Sequence, residues 1–127
     1  MKPVILVVED NERNRKLVRT ILEFRGYEVV ECEDGEPSLA LAKSHRPVLV
    51  LMDIQLPKMN GIEALARLRA DPETAAIPVV AVTASVTPRE RERVIAAGFH
   101  SYIAKPIDVA TFAATVRSRL ASGNVRE

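Results

Sequence analysis

The stretch Val48-Leu49-Val50-Leu51-Met52-Asp53-Ile54-Gln55-Leu56-Pro57 decides how the rest of the chain is read. Residues 48–52 are all apolar, too few for an ordinary helix, and show none of the polar alternation of a half-exposed strand. Such a run suits a strand buried on both faces, as in a parallel sheet covered by helices. It stops at one carboxylate, Asp53, and the chain then turns toward Pro57. Two other runs have the same character: Val4–Val8, followed by Glu9-Asp10, and residues 79–82, followed by Thr83. Two more polar runs, Glu28–Cys32 and residues 101–103, suit the edges of a sheet.

Between these runs apolar residues recur at helical spacing. Leu17, Val18, Ile21 and Leu22 share one side of a helix that begins after Asn11, a good capping residue, and stops at Gly26. Pro37 in a first turn, an apolar patch at 39–42 and a stop at Pro47 describe a second helix. Ile62, Leu65, Ala66 and Leu68 give a third, and Val94, Ile95 and Ala97 ahead of Gly98 give a fourth entered at Pro88. The fifth is expected over about residues 109–121. Strand and helix alternate throughout, so right-handed crossovers predict an α/β sandwich with a parallel five-stranded sheet. With the second and fifth strands at the edges, the order is 2-1-3-4-5, the flavodoxin-like doubly wound arrangement. A length of 127 residues suits one core, so one domain is expected over 1–121, with 122–127 a short C-terminal tail.

Composition narrows the functional classes. A formal net charge of +1 gives no field to gather nucleic acid or anionic lipid. Cys32 is the only cysteine, which excludes an internal disulfide and leaves no metal-spaced Cys/His cluster, as expected for a reducing cytoplasm. The run Val4–Val8 is too brief for a signal-peptide core or a spanning helix, so neither export nor a membrane is expected. Met1 reads as a natural start, the C-terminus carries no such mark, and no effector domain is expected in the few residues after Ala121.

In a doubly wound sheet, ligands gather outside the carboxyl ends of the strands where strand order reverses. Glu9 and Asp10, Asp53 and Thr83 stand at such ends, and Lys105 followed by Pro106 comes after the fifth strand. Taken singly, an Asp after a strand is ordinarily a turn or cap, adjacent acids a solvated loop and a lysine surface; their shared place on one rim favours a site. Three carboxylates gathered there would repel by roughly 3 kcal/mol per pair at about 5 Å and an effective dielectric near 20. Lys105 offsets part of this, and hard oxygens with room for water and phosphate describe a Mg²⁺ site. With the cation on Asp10 and Asp53, and Glu9 near it through water, a phosphoryl group can approach Asp53. Asp53 is then a nucleophile that forms an acyl phosphate. Lys105, the Thr83 hydroxyl and backbone N–H groups after Asp53 and Thr83 are the expected donors to that phosphate.

On these residues the chain resembles the response-regulator receiver domains of two-component signalling, from about residue 2 to residue 120. The pieces are Val8-Glu9-Asp10-Asn11, Met52-Asp53-Ile54-Gln55-Leu56-Pro57 with Met59-Asn60-Gly61, Val82-Thr83-Ala84, and Ala104-Lys105-Pro106, all in the family's order and spacing. The resemblance implies that Glu9 and Asp10 hold Mg²⁺, for which Mn²⁺ can substitute, and that Gln55 offers its main-chain carbonyl to the metal. It implies that Asp53 is phosphorylated from a phosphohistidine of a histidine kinase or histidine phosphotransfer protein, and that the Lys105–Pro106 bond is cis. A switch follows in the family: Thr83 moves toward the phosphate, the aromatic Tyr102 turns inward, and the surface of the fourth helix, fifth strand and fifth helix changes affinity for a target protein. Small Ala84 leaves the phosphate accessible. The expectation is a cytoplasmic switch, a monomer or phosphorylation-dependent dimer, that catalyses only its own phosphorylation and dephosphorylation.

Within that expectation, output by target binding, an intermediate of a phosphorelay and a receiver detached from a hybrid histidine kinase stay open. An aspartyl-phosphate hydrolase would usually carry a second Asp where Gln55 stands. A flavodoxin-like cofactor carrier would bind its phosphate after the first strand, where Glu9 and Asp10 repel it. His45 and His100 read as exposed polar residues, and the alternating charges of Arg89-Glu90-Arg91-Glu92-Arg93 as a solvated helix face. Arg13, Arg15, Lys16 and Arg19 make the first helix basic, for solubility or for docking a partner.

Overall fold

Strands that are apolar on both sides need cover on both sides, and the chain supplies it. The computed structural model describes residues 2–56, 58–84 and 87–125, with side chains described to residue 120. The elements in order are β1 Val4–Val8, α1 Glu12–Phe24, β2 Glu28–Cys32, α2 Ser38–His45, β3 Leu49–Asp53, α3 Gly61–Ala70, β4 Val79–Thr83, α4 Pro88–Ala97, β5 Ser101–Ala104 and α5 Val109–Val125. The strands form one parallel sheet in the order β2-β1-β3-β4-β5, as expected from the two polar edge runs.

The period of two along each strand divides the core into two layers. Leu6 and Val8, Val50 and Met52, and Val79 and Ala81 face Ala42 of α2, Leu65 and Leu68 of α3 and Val94 of α4. Ile5 and Val7, Leu49 and Leu51, and Val80 and Val82 face Val18, Ile21 and Leu22 of α1 and Phe112 and Val116 of α5. The helix starts are written locally. The Asn11 side chain accepts from the Asn14 N–H at 3.0 Å, Asn60 from Glu63 at 2.9 Å, Thr87 from Glu90 at 3.2 Å, and Asp108 from Thr111 at 3.1 Å, each relieving an N–H that a first turn leaves without a partner. Gly26 and Gly98 take positive φ just past α1 and α4, where a side chain would be strained.

Strands β3 and β4 end in Asp53 and Thr83, as expected, so both polar residues are held by the sheet rather than by the loops beyond it. One boundary differs from expectation. The fifth helix does not stop near Ala121 but continues to Val125, so residues 122–125 of the expected tail are helical, while 126–127 lie outside the described residues. Gly123 costs a helix about 1 kcal/mol relative to alanine, and nothing else in that stretch forces a stop. No helix among the described residues is long and apolar enough to cross a membrane.

Candidate functional site

The sheet order places β1 beside β3, with crossovers leaving them to opposite faces, so a crevice opens at their carboxyl ends. Register then fixes what lines it. Val8 pairs with Met52, Asp53 with Val82, and Thr83 with Ala104, so Glu9, Asp53, Thr83 and Lys105 follow one another along a single rim. Backbone bonds hold the rim past the ends of the strands: Glu9 N–H donates to Cys32 O at 3.0 Å and Lys105 N–H to Thr83 O at 2.9 Å. The Lys105–Pro106 bond is cis.

Lys105 Nζ bridges two carboxylates, 2.9 Å from Glu9 Oε1 and 2.9 Å from Asp53 Oδ2. The other oxygens are also engaged, since Glu9 Oε2 accepts from Asn11 N–H and Asp53 Oδ1 from Gln55 N–H, each at 3.1 Å. Glu9 and Asp53 are 3% and 4% exposed, whereas Asp10 is exposed, so one acid faces solvent and two are desolvated. Ligand oxygens of Glu9, Asp10 and Asp53 lie within 4.8 Å of one another, a hard-oxygen set suited to a divalent cation. Thr83 is buried, Ala84 and Gln55 are exposed and Tyr102 is half-buried. All the expected site residues except Tyr102 and Pro106 therefore meet on the rim; Tyr102 packs beneath α4 and Pro106 follows the lysine.

Burial pushes the Glu9 carboxyl up from 4.5 to about 7; the Lys105 ammonium and Asn11 N–H pull it down, and the neighbouring Asp53 charge adds to the rise. Lys105 is raised in turn, because bonds to Asp53 and Glu9 outweigh the burial that would lower it. The sign for stability follows. Between pH 4.5 and about 7 the unfolded chain has released the Glu9 proton while the folded chain keeps it, so the folded state loses ground as pH rises. Urea titrations without metal are expected to show a fall on the order of 2–3 kcal/mol across that window, and Glu9→Gln to flatten it; a wild-type curve that rises from pH 5 to 7 would contradict the assignment.

Three features support the site beyond the roles expected from the sequence, although Gly61 lies within one of its motifs. Gly61 stands where a Cβ would lie 2.5 Å from Asp53 O and 3.0 Å from Ile54 Cα, so the first turn of α3 packs directly on the backbone of Asp53. Arg15, one of the basic residues of α1, donates from Nη1 to the carbonyls of Glu9 at 2.9 Å and Asp10 at 3.1 Å, and is held by Glu31 at 3.5 Å and Glu33 at 3.2 Å. Arg19 also pairs with Glu31, so these two charges serve the β1–α1 loop and β2 within the chain. Arg91, expected to be solvated with its neighbours on α4, lies over the Tyr102 ring at 5.2 Å from its centroid, a cation–π contact.

The sequence model of the response regulator receiver domain matches residues 5–117. The chain belongs to this family. The receiver is 45% identical over 120 residues to the polar-differentiation response regulator DivK of Brucella anthropi, covering 94% of this chain and 98% of that one. Among solved structures it is similar to the receiver domain of the sensor histidine kinase PA1611 of Pseudomonas aeruginosa, which has a magnesium ion coordinated in its active-site cleft. The TM-score is 0.87 at 30% identity, with 95% and 99% of the two chains covered. The chemotaxis response regulator CheY4 of Vibrio cholerae gives a TM-score of 0.88 at 26% identity, with 94% and 99% covered. The receiver is thus a phosphoryl-accepting signalling switch. Its phosphoryl partners are histidine kinases or phosphotransfer proteins.

Proposed function

We propose that Asp53 is the phosphoryl acceptor, that Glu9, Asp10 and Asp53 hold Mg²⁺ with the Gln55 main-chain carbonyl, and that the product switches binding of a downstream protein. The observation that carries this reading is the Lys105 ammonium bridging two buried carboxylates at the point where strand order reverses. The converging carboxylate oxygens fit a hard cation, and Mn²⁺ fits the same donors. When bound, the cation supplies positive charge that offsets the repulsion between carboxylate and phosphoryl oxygens.

The chain's own groups do the rest. An Asp53 carboxylate oxygen attacks phosphorus; the new O–P bond forms as the P–N bond of the phosphohistidine breaks, and the electron pair returns to the imidazole. Lys105, already at hydrogen-bond distance from Asp53, pairs with a phosphoryl oxygen, and the Gln55 N–H and the Thr83 hydroxyl are the neighbouring donors. The switch runs from Thr83 to Tyr102, one residue before Ile103 on the strand that pairs with β4. Inward movement of Tyr102 breaks its contact with Arg91 and so alters the face of α4, β5 and α5 that the target reads. The protein works in the cytoplasm, as a monomer or a phosphorylation-dependent dimer, and catalyses only its own phosphorylation and dephosphorylation. Ala84, exposed beside Thr83, leaves water a path to the phosphate.

Output by target binding is the leading reading, with a relay as the alternative. The test is transfer of labelled phosphate from an autophosphorylated histidine kinase in the presence of Mg²⁺. Label is expected on this chain and then in inorganic phosphate. Quantitative onward transfer to an added histidine phosphotransfer protein would establish the relay instead.

A further inference from the structure

The turn between β2 and α2 gives no side chain to the acidic cluster, yet it reaches the loop that does. Asp34 Oδ1 accepts three backbone N–H groups, from Gly35 at 2.7 Å, Met59 at 3.1 Å and Lys58 at 3.3 Å. Two of these donors belong to the connection between β3 and α3, the stretch that leaves Asp53 and carries Gln55. Three N–H groups on one ionised oxygen form charge-assisted bonds, stronger than their neutral counterparts. They hold the Asp34 carboxyl below its ordinary value although burial acts to raise it, so it remains charged at neutral pH.

The two loops are also in contact without clearance. A Cβ on Gly35 would lie 2.6 Å from Met59 O and 3.0 Å from Ala64 Cβ, so this pair of backbones meets only because residue 35 has no side chain. On the other side Met59 is buried in the core, and Gly61 N–H donates to Ile54 O at 2.9 Å. The β3–α3 connection is therefore pinned at Ile54 by Gly61, at Lys58 and Met59 by Asp34, and at its end by the Asn60 cap. Between these pins sits Gln55, whose N–H reaches Asp53 Oδ1.

We infer that Asp34 is a positioning residue for phosphoryl uptake: through Lys58 and Met59 it sets the backbone that presents the Gln55 N–H and carbonyl beside Asp53, touching neither cation nor phosphate itself. This rests on the reading of Asp53 as acceptor, and the test separates the two. Asp34→Ala and Asp34→Asn are compared with wild type by amide hydrogen exchange at Gln55, Lys58 and Met59 without metal, by calorimetric Mg²⁺ affinity, and by the rate of labelling with acetyl phosphate. Asp34→Ala is expected to speed exchange at Lys58 and Met59 and to weaken both Mg²⁺ affinity and labelling by about tenfold. Asp34→Asn keeps an oxygen acceptor at Oδ1 and is expected to recover most of the loss, which a merely destabilised fold would not do. Wild-type affinity and labelling in folded Asp34→Ala would overturn the inference. If Asp34→Ala does not fold, Gly35→Ala displaces the same loop through Met59 O while keeping the carboxylate; unchanged Mg²⁺ affinity there would overturn it equally. If wild type itself takes no phosphate while Mg²⁺ affinity still falls in Asp34→Ala, the acceptor reading fails and with it the role in phosphoryl uptake, while the positioning of the Gln55 backbone for the cation stands.

Discussion

Lys105→Met is expected to slow phosphoryl uptake from acetyl phosphate by about 100-fold at saturating Mg²⁺, the usual loss when one preorganised donor to a developing anion is removed. The ammonium is placed by the sheet before any phosphate arrives, since Lys105 N–H is bonded to Thr83 O and Nζ rests between Glu9 and Asp53. It therefore pays no reorganisation in the transition state. The fold should survive the substitution. Removing one partner of a buried ion pair ordinarily costs about 3–5 kcal/mol, but Glu9, already pushed up to about 7, can take a proton and relieve the remaining carboxylates. Initial labelling rates measured beside a Lys43→Met control check this, because Lys43 pairs with Asp71 and Glu73 instead of the acidic cluster. A Lys105→Met rate within about threefold of wild type would mean that the lysine is structural.

Asp53→Asn is expected to have opposite effects on chemistry and on stability. Uptake is abolished, because an amide oxygen is not a competent nucleophile toward phosphorus. Without metal the variant should be more stable by about 1 kcal/mol, since it keeps the carbonyl that accepts from Gln55 N–H and removes one of two buried charges sharing Lys105. Glu9 then pairs with the lysine alone and loses the Asp53 charge that helps to raise it. With millimolar Mg²⁺ the order reverses, because binding stabilises only a protein that retains the full donor set. Urea midpoints with and without Mg²⁺ report both signs; lower stability of Asp53→Asn in the absence of metal would contradict this electrostatic picture.

The core and the acidic rim were legible because burial on both faces writes itself as unbroken apolar runs, and a polar residue ending such a run can only sit on the rim. Residues 48–52 and 79–82 located the centre of the sheet, and the mixed character of Glu28–Cys32 and Ser101–Ala104 located its edges. Asp34 and Arg15 were not legible as supports. Each acts on backbone atoms, Asp34 on amides 24 and 25 residues away and Arg15 on the carbonyls of Glu9 and Asp10, and backbone acceptors and donors leave no residue type to recognise. Nothing in the sequence separates Arg91 from its neighbours, because alternating charge on a helix is normally solvated; which of the arginines meets Tyr102 depends on how α4 lies over β5. The continuation of α5 past Ala121 is not legible because a single glycine weakens a helix without ending it.

The measurement that bears most directly on Asp53 as acceptor is intact mass after incubation with Mg²⁺ and acetyl phosphate, wild type beside Asp53→Asn. One phosphoryl adduct is expected on the wild-type chain, dependent on Mg²⁺ and absent from the variant. An adduct of equal yield on Asp53→Asn, or none on wild type under conditions that label another receiver, would contradict it.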